Sequence, residues 1–391
     1  MARARKEVTI VLWLGHEDAR ARLAATVANN RTAHAYLISG PEGIGKSAIA
    51  VEFARLLLCD RPTDKPCGAC PQCSALRTLH HPDLHLIAPS GTPKDSDTPG
   101  SETFNKELSK LREKLASDPY VSADLAELST SESKAARRKS ATGSKVRVAD
   151  SRELLHDAYR KPYQAQRAVY VLLNADTMVR EAQNALLKLL EEPPTSAVLL
   201  LTASNLQAVL PTVRSRCQPV KLMAYSAAEI RSALKQAGIE ERAAELAGAL
   251  SGGNMRRAIA FAEMEPEFLE KAAVEFLATS AVLAPDKVQE QVETLLEDST
   301  FLDDAFFELM TLFLSDAAAW AARVPNPAPH FPSQRDRIAK LSAAYPSANF
   351  GKAIEAVDKA ASSRAAGYTP SLVLTAMAID LNRALGPRAR A

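Results

Sequence analysis

Apolar and polar positions fall into two contrasting patterns along this chain, and the change comes a little past its middle. In the first part, short apolar runs alternate with segments of helical spacing. Ala35-Tyr36-Leu37-Ile38, Leu84-His85-Leu86-Ile87-Ala88, Ala168-Val169-Tyr170-Val171-Leu172-Leu173 and Ala197-Val198-Leu199-Leu200-Leu201-Thr202 read as strands. The last is apolar throughout, as a strand buried on both faces of a parallel sheet should be. Helices are predicted over Val11–Val27, from Ala48 toward Leu58, over Phe104–Leu115, from Asp150 to about Arg160, and from Arg180 to Glu192, where Pro193-Pro194 stops the run. Strands alternating with helices predict a doubly wound α/β domain ending near Pro219-Val220.

Beyond that point the pattern is helical. Ser226-Ala227-Ala228-Glu229 is a capping box that opens a helix to Ala237. Gly252-Gly253 separates helices at 241–250 and 254–263, which completes a small three-helix unit. Longer amphipathic helices follow from Pro266, broken at Pro325–Pro329, and Thr369-Pro370 starts the last, which Gly386-Pro387 ends. The stretch from Pro89 to about Lys145 departs from both patterns. It is rich in Ser, Thr, Lys, Asp and Glu, and Ser129–Ser144 carries Lys134, Arg137, Arg138 and Lys139 with almost no apolar residue. That part reads as a disordered or mobile loop, with a DNA-touching basic tract as the alternative.

Composition narrows this little. At 391 residues the chain has length for two or three domains, and its 47% hydrophobic and 24% charged residues suit a globular protein. A net charge of +2 gives no global argument for nucleic acid or membrane. No apolar run approaches the roughly 20 residues of a membrane span. The basic N-terminus leads into no signal-peptide core, so a cytoplasmic protein is expected.

Three groups of residues carry chemistry. Gly40-Pro41-Glu42-Gly43-Ile44-Gly45-Lys46-Ser47 fits G-x-x-x-x-G-K-[ST] at every fixed position, between a predicted strand and a predicted helix. Gly40, Gly43 and Gly45 let backbone N–H groups curl around phosphate, Lys46 supplies a positive charge and Ser47 the hydroxyl. The next buried strand ends in Leu173-Asn174-Ala175-Asp176, where a hydrolysing NTPase would carry an Asp-Glu pair for magnesium and the attacking water. The chain reads as able to hold ATP or ADP and poorly equipped to cleave it, and magnesium is doubtful. A loop kept only as a tight strand–helix turn is the competing reading. Finally, Cys59, Cys67, Cys70 and Cys73 are four of the five cysteines. Their C-x7-C-x2-C-x2-C spacing predicts a closed, structural tetrahedral Zn2+ site in preference to disulfides. His80, His81 and His85 lie nearby as surface or packing residues, since four thiolates already fill the shell.

The ordered set is more specific than any one motif. His34-Ala35-Tyr36-Leu37, the phosphate loop, the cysteine module, Asn184-Ala185-Leu186-Leu187-Lys188-Leu189-Leu190-Glu191-Glu192-Pro193-Pro194 and Arg214-Ser215-Arg216-Cys217 follow one another. Together they resemble the bacterial clamp-loader AAA+ subunits of the DNA polymerase III holoenzyme, over residues of about 10–260. The resemblance implies a P-loop core with zinc module at 1–222 (cysteines within 59–73, insert at 90–145), a three-helix lid at 223–265 and an all-α oligomerisation collar at 266–391. Leu173-Asn174 resembles the delta prime branch, whose acidic motif is typically degraded, and not the motor branch, gamma/tau. Implied roles follow: Arg216 as an arginine finger reaching a neighbour's ATP, Arg256 as a second sensor, Thr202 (with Ser204) as a polar first sensor, and Cys217 as a packed thiol. Implied partners are the gamma/tau and delta subunits, with the sliding clamp and primer-template DNA reached through the complex. The alternatives are a motor-type (gamma/tau) clamp-loader ATPase and an autonomous DNA-acting AAA+ ATPase, its acid supplied by Asp176 or another residue.

Overall fold

The computed structural model describes residues 15–61, 65–89, 102–121, 145–146, 154, 156–262, 266–297, 304–324 and 335–387. The basic tract at 129–144 and the first part of the predicted helix at 150–160 lie outside the described residues, as do positions 11–14 of the first helix. The chain divides into two compact units. The first runs to Tyr225 and takes in Asn254–Arg256; the second comprises Ser226–Gly253 and the residues from Arg257 onward.

The first unit is a five-stranded sheet: β1 (Ala35–Ser39), β2 (Leu84–Ile87), β3 (Ala168–Leu172), β4 (Ala197–Ala203) and β5 (Gln218–Lys221), in the order β2-β3-β4-β1-β5. Every pairing is parallel. The three central strands are buried along their whole length, which is why they are apolar without alternation. Successive side chains still point to opposite faces. Leu37, Tyr170, Leu172, Leu199 and Leu201 meet Ala182, Leu186, Leu189 and Leu190 of the helix Arg180–Glu191 on one face. On the other, Tyr36 meets Phe53 of the helix Lys46–Leu58 edge to face, ring centroids 4.9 Å apart.

β5 is a strand that the apolar pattern does not mark. Of Gln218-Pro219-Val220-Lys221 only Val220 is buried, and the strand pairs with β1 alone. An edge strand needs no inner ladder on its outer side, so Pro219 is tolerated there. The first helix is Glu17–Ala28, and the insert holds a helix at Glu102–Ser117, whose predicted apolar positions Leu111 and Leu115 are buried.

The second unit is wholly helical among the described residues. Helices at Ala227–Gln236, Glu241–Leu250 and Met255–Ala262, the last counted here from Arg257, are followed by Pro266–Val282, Pro285–Glu297, Asp304–Ala321, Arg335–Ala344, Phe350–Ala365 and Pro370–Leu385. Ser226 and Glu229 form both halves of the predicted capping box. Its core includes Phe276 edge-on to Phe306 at 5.6 Å. Asn382 donates to the carbonyls of Ser280 and Ala281 at 3.1 and 2.9 Å, tying the last helix to the end of the helix at 266–282. No helix among the described residues is long and apolar enough to cross a membrane.

Candidate nucleotide site, metal site and arginine edge

The phosphate loop leaves β1 at its carboxyl end and enters the helix Lys46–Leu58. Gly43 and Gly45 have φ of 68° and 89°, a region side chains disfavour, and a Cβ on Gly43 would lie 1.8 Å from Asn254 Oδ1. Gly45 caps the helix, so free N–H groups and the positive helix end face the loop. The loop is anchored from outside. His16 Nε2 and the Tyr225 hydroxyl both donate to the Ile44 carbonyl, at 3.0 and 3.2 Å, with their rings 4.6 Å apart. The Arg256 N–H donates to the Gly43 carbonyl at 3.2 Å, which sets Arg256 beside the loop.

Lys46 is 6% exposed and donates to the Pro41 carbonyl at 2.6 Å. Burial draws its ammonium below the ordinary value, opposed by the charges of Asp176 and Glu42. A phosphate would give this buried cation a full counter-charge, so loop and lysine fit a nucleotide. The residues do not fit magnesium equally well. Leu173 is fully buried in the core, and Asn174 gives its N–H to Thr202 Oγ1 at 2.9 Å. Thr202, 0% exposed, therefore braces the backbone where an acidic pair would stand. Asp176, the remaining acid of that segment, receives the N–H groups of Ser204 and Asn205 on one oxygen at 3.0 and 2.8 Å, and so clasps the loop after β4.

The four cysteines converge as their spacing predicts. All four sulfurs lie within 4.8 Å of one another, and Cys67 and Cys73 Sγ are 3.9 Å apart. Sulfurs about 2.3 Å from a tetrahedral zinc are about 3.8 Å apart, so the set fits that ion. The N–H groups of Cys70 and Cys73 point at Cys67 and Cys70 sulfurs at 3.4 Å. Backbone N–H groups of Ala69 and Cys70 pull the Cys67 thiol down to about 6, whereas burial pushes Cys73 up to about 12. Bound zinc would hold all four as thiolates and close the turn without an open position.

The histidines near the module do other work. His81, buried, bonds Gln72 Oε1 of the cysteine-bearing helix Pro71–Ala75 at 2.7 Å, and its Nδ1 accepts the Asp83 N–H at 3.0 Å. Asp83, 3% exposed, accepts the N–H groups of Tyr163, Gln164 and Ala165 at 2.5, 2.8 and 2.7 Å. Burial raises its pKa, but these donors outweigh it and hold the carboxyl below its ordinary range. His85 stacks on Tyr170 with centroids 4.5 Å apart. Asp83 does not stand out in the sequence as a clasp, because the backbone groups it serves at 163–165 lie far along the chain.

Arg216 stands at the opposite edge of the sheet, after the short helix Pro211–Arg214 and just before β5. Its guanidinium donates to the Thr212 carbonyl at 2.9 Å and pairs with Glu191 at 2.8 Å. Cys217 beside it is buried, and burial pushes its thiol up to about 12, as a packed thiol requires. The fold therefore brings the phosphate loop, Thr202 and Arg256 together at the carboxyl ends of the strands, with Arg216 away from them at the amino end of β5.

A parallel sheet in the order β2-β3-β4-β1-β5, with a phosphate loop leaving its central β1, defines an AAA+ P-loop protein. A family model described as DNA polymerase III, delta subunit, matches residues 15–226, more than half of the chain. The chain belongs to this family, the clamp-loader AAA+ proteins of DNA polymerase III. The delta' subunit of Pseudomonas aeruginosa is 31% identical over 186 residues, 47% of this chain and 42% of that protein. The gamma/tau subunit of Mycobacterium tuberculosis is also 31% identical, over 204 residues, 52% of this chain and 26% of that protein. The Bacillus subtilis delta' subunit is 23% identical over 248 residues, 63% of this chain and 59% of that protein. The matched region thus spans less than half of the first two relatives, and both subunit types occur at the same identity.

Proposed function

We propose that this chain is a delta-prime-type clamp-loader subunit, an AAA+ scaffold that does not itself hydrolyse ATP and lends Arg216 to a neighbouring motor subunit during loading of a sliding clamp onto primed DNA. The observation that carries this reading is the end of β3. An intact phosphate loop faces Leu173 buried in the core and Asn174 braced by Thr202, so no carboxylate from that pair is on hand for magnesium or water. Phosphoryl transfer depends on positioning those groups, so binding without turnover is the expected behaviour. The nucleotide, ATP or ADP, would be held by Gly40, Gly43, Gly45, Lys46 and Ser47. Arg256 beside the loop is the sensor contact. Zinc at the four cysteines staples the segment between the nucleotide-site helix and β2.

The planar guanidinium of Arg216 suits a γ-phosphate presented by another subunit. Partners in this reading are a gamma/tau-type motor and a delta subunit, met through the helical tail. Tyr368 and Leu372, 61% and 63% exposed at the start of the last helix, are apolar surface of the kind an assembly covers. The competing reading, an autonomous ATPase using Asp176, is disfavoured by the engagement of that carboxylate with Ser204 and Asn205. ATP turnover by the purified chain, alone and then with a motor subunit, tests the proposal. Background turnover alone and stimulation of the motor support it; robust turnover by the lone chain, lost in Lys46→Ala, overturns it.

A further inference from the structure

Arg216 is held by a carboxylate at the end of a helix. Glu191 ends the helix Arg180–Glu191, which carries the core contacts of Leu186, Leu189 and Leu190, so its backbone is fixed from below. Its carboxylate meets the Arg216 guanidinium at 2.8 Å while the Thr212 carbonyl takes a second N–H at 2.9 Å. A helix C-terminus is itself a weak negative pole, so charge and dipole act together on the cation.

The pair does little for stability. Arg216 and Glu191 are 35% and 50% exposed, and solvent screening leaves an ion pair at such exposure with little net stabilisation. What the contact does accomplish is orientation. A free arginine side chain loses rotamer freedom when fixed, and that loss otherwise falls on the moment of transfer. Among the described residues these two contacts engage part of the five-donor fork, which leaves further N–H groups for a phosphate.

We infer that Glu191 is a positioning residue for Arg216, holding the guanidinium in the orientation in which it meets a phosphate on the neighbouring subunit. The inference rests on the reading of Arg216 as a finger acting in trans. A carboxylate is a weaker partner than a multiply charged phosphate, so Glu191 orients the fork without competing it away. The contact belongs to the transition state's geometry more than to nucleotide affinity. Its loss should lower kcat and leave KM for ATP unchanged.

The experiment is a reconstituted loader containing the full chain and its motor subunit, assayed for DNA-stimulated ATP turnover. Glu191→Gln, which keeps an acceptor, should lower kcat about twofold, Glu191→Ala roughly fivefold, and Glu191→Lys further, as expected when an oriented group is released. The Glu191→Ala, Arg216→Ala double variant should be no slower than Arg216→Ala alone, since the first acts only through the second. Glu191→Gln assembles in any loader that tolerates the surface change, and so separates orientation from folding. Unchanged kcat in Glu191→Ala with a slow Arg216→Ala overturns the role of Glu191 while the finger stands. Losses that add, or a change confined to KM, also overturn it. Unchanged kcat in both variants overturns the finger itself.

Discussion

The two ends of one parallel sheet are built for opposite duties. At the carboxyl ends of β1, β3 and β4, polar groups are tied down by the chain itself: Lys46 on the Pro41 carbonyl, Thr202 on the Asn174 N–H, Asp176 on Ser204 and Asn205. At the amino end of β5, Arg216 is partly exposed, and among the described residues Thr212 and Glu191 are its anchors. An inward-looking site suits a ligand that stays, and an outward-looking cation suits a ligand that arrives on another surface. In the proposed reading, chemistry lent from one end of the sheet accounts for Leu173-Asn174 at the other.

The sharpest way to break the contrast is to delete the outward cation. Arg216→Ala is expected to leave the loader assembled, keep the chain's own nucleotide affinity, and slow DNA-stimulated turnover. A finger is worth about 10³–10⁵ at its own site, and with other sites still working the whole loader should fall roughly tenfold. Steady-state ATPase on the purified complex reads this directly, and Arg216→Lys should rescue little because an ammonium lacks the fork. The mirror-image change is Lys46→Ala, which should weaken binding of a fluorescent ATP or ADP analogue roughly tenfold to a hundredfold, the worth of one charge-assisted contact, while clamp loading persists. If either variant disturbs both ends equally, the division of labour is wrong.

Two smaller effects concern the brace between the ends. Elemental analysis should find one zinc per chain, and Cys73→Ser should release it. The segment from Cys59 to His80 should then become protease-sensitive while the α/β core melts as one transition. Zinc-free protein purified without chelator would end the metal assignment. Asp83→Asn should cost about 2 kcal/mol of stability, the worth of hydrogen bonds to a charged acceptor. Because Asp83 is held below its ordinary carboxylate range, its contribution is complete above the unfolded value of about 4 and fades as pH falls through the folded one. Denaturation midpoints of the native chain should show that acid slope, and the variant should lack it.

Much of this was legible in the sequence where the signal is local. The phosphate loop and the cysteine module declare themselves by fixed spacing, and both form as expected because their residues need only a turn or one helix to meet. Strands β1, β3 and β4 were legible because burial on both faces demands apolar side chains at every position. β5 was not, since an edge strand with Pro219 and a single buried side chain carries no such demand. The Glu191–Arg216 contact was equally hidden. Glu191 looked like the end of a helix and Arg216 like part of a motif, and only the fold brings them to 2.8 Å. Asp83 is silent in the sequence, because a carboxylate serving backbone N–H groups leaves no mark on the residues it serves.

That carboxylate also bears on how the molecule comes together in time. Asp83 grips the Tyr163 N–H across 80 residues of chain, and its bonds sit where β2 and β3 begin to pair. Closing so long an excursion is slow compared with forming a helix, since the contact must wait for distant segments to meet. Its cost, however, rises only as the logarithm of length, about 0.6 kcal/mol for each doubling. The clasp therefore needs to overcome nearly the same penalty whether the excursion is half as long or twice as long. Sequence added between β2 and β3 is therefore expected to be accommodated at little cost, which the denaturation midpoints of an insertion series would read.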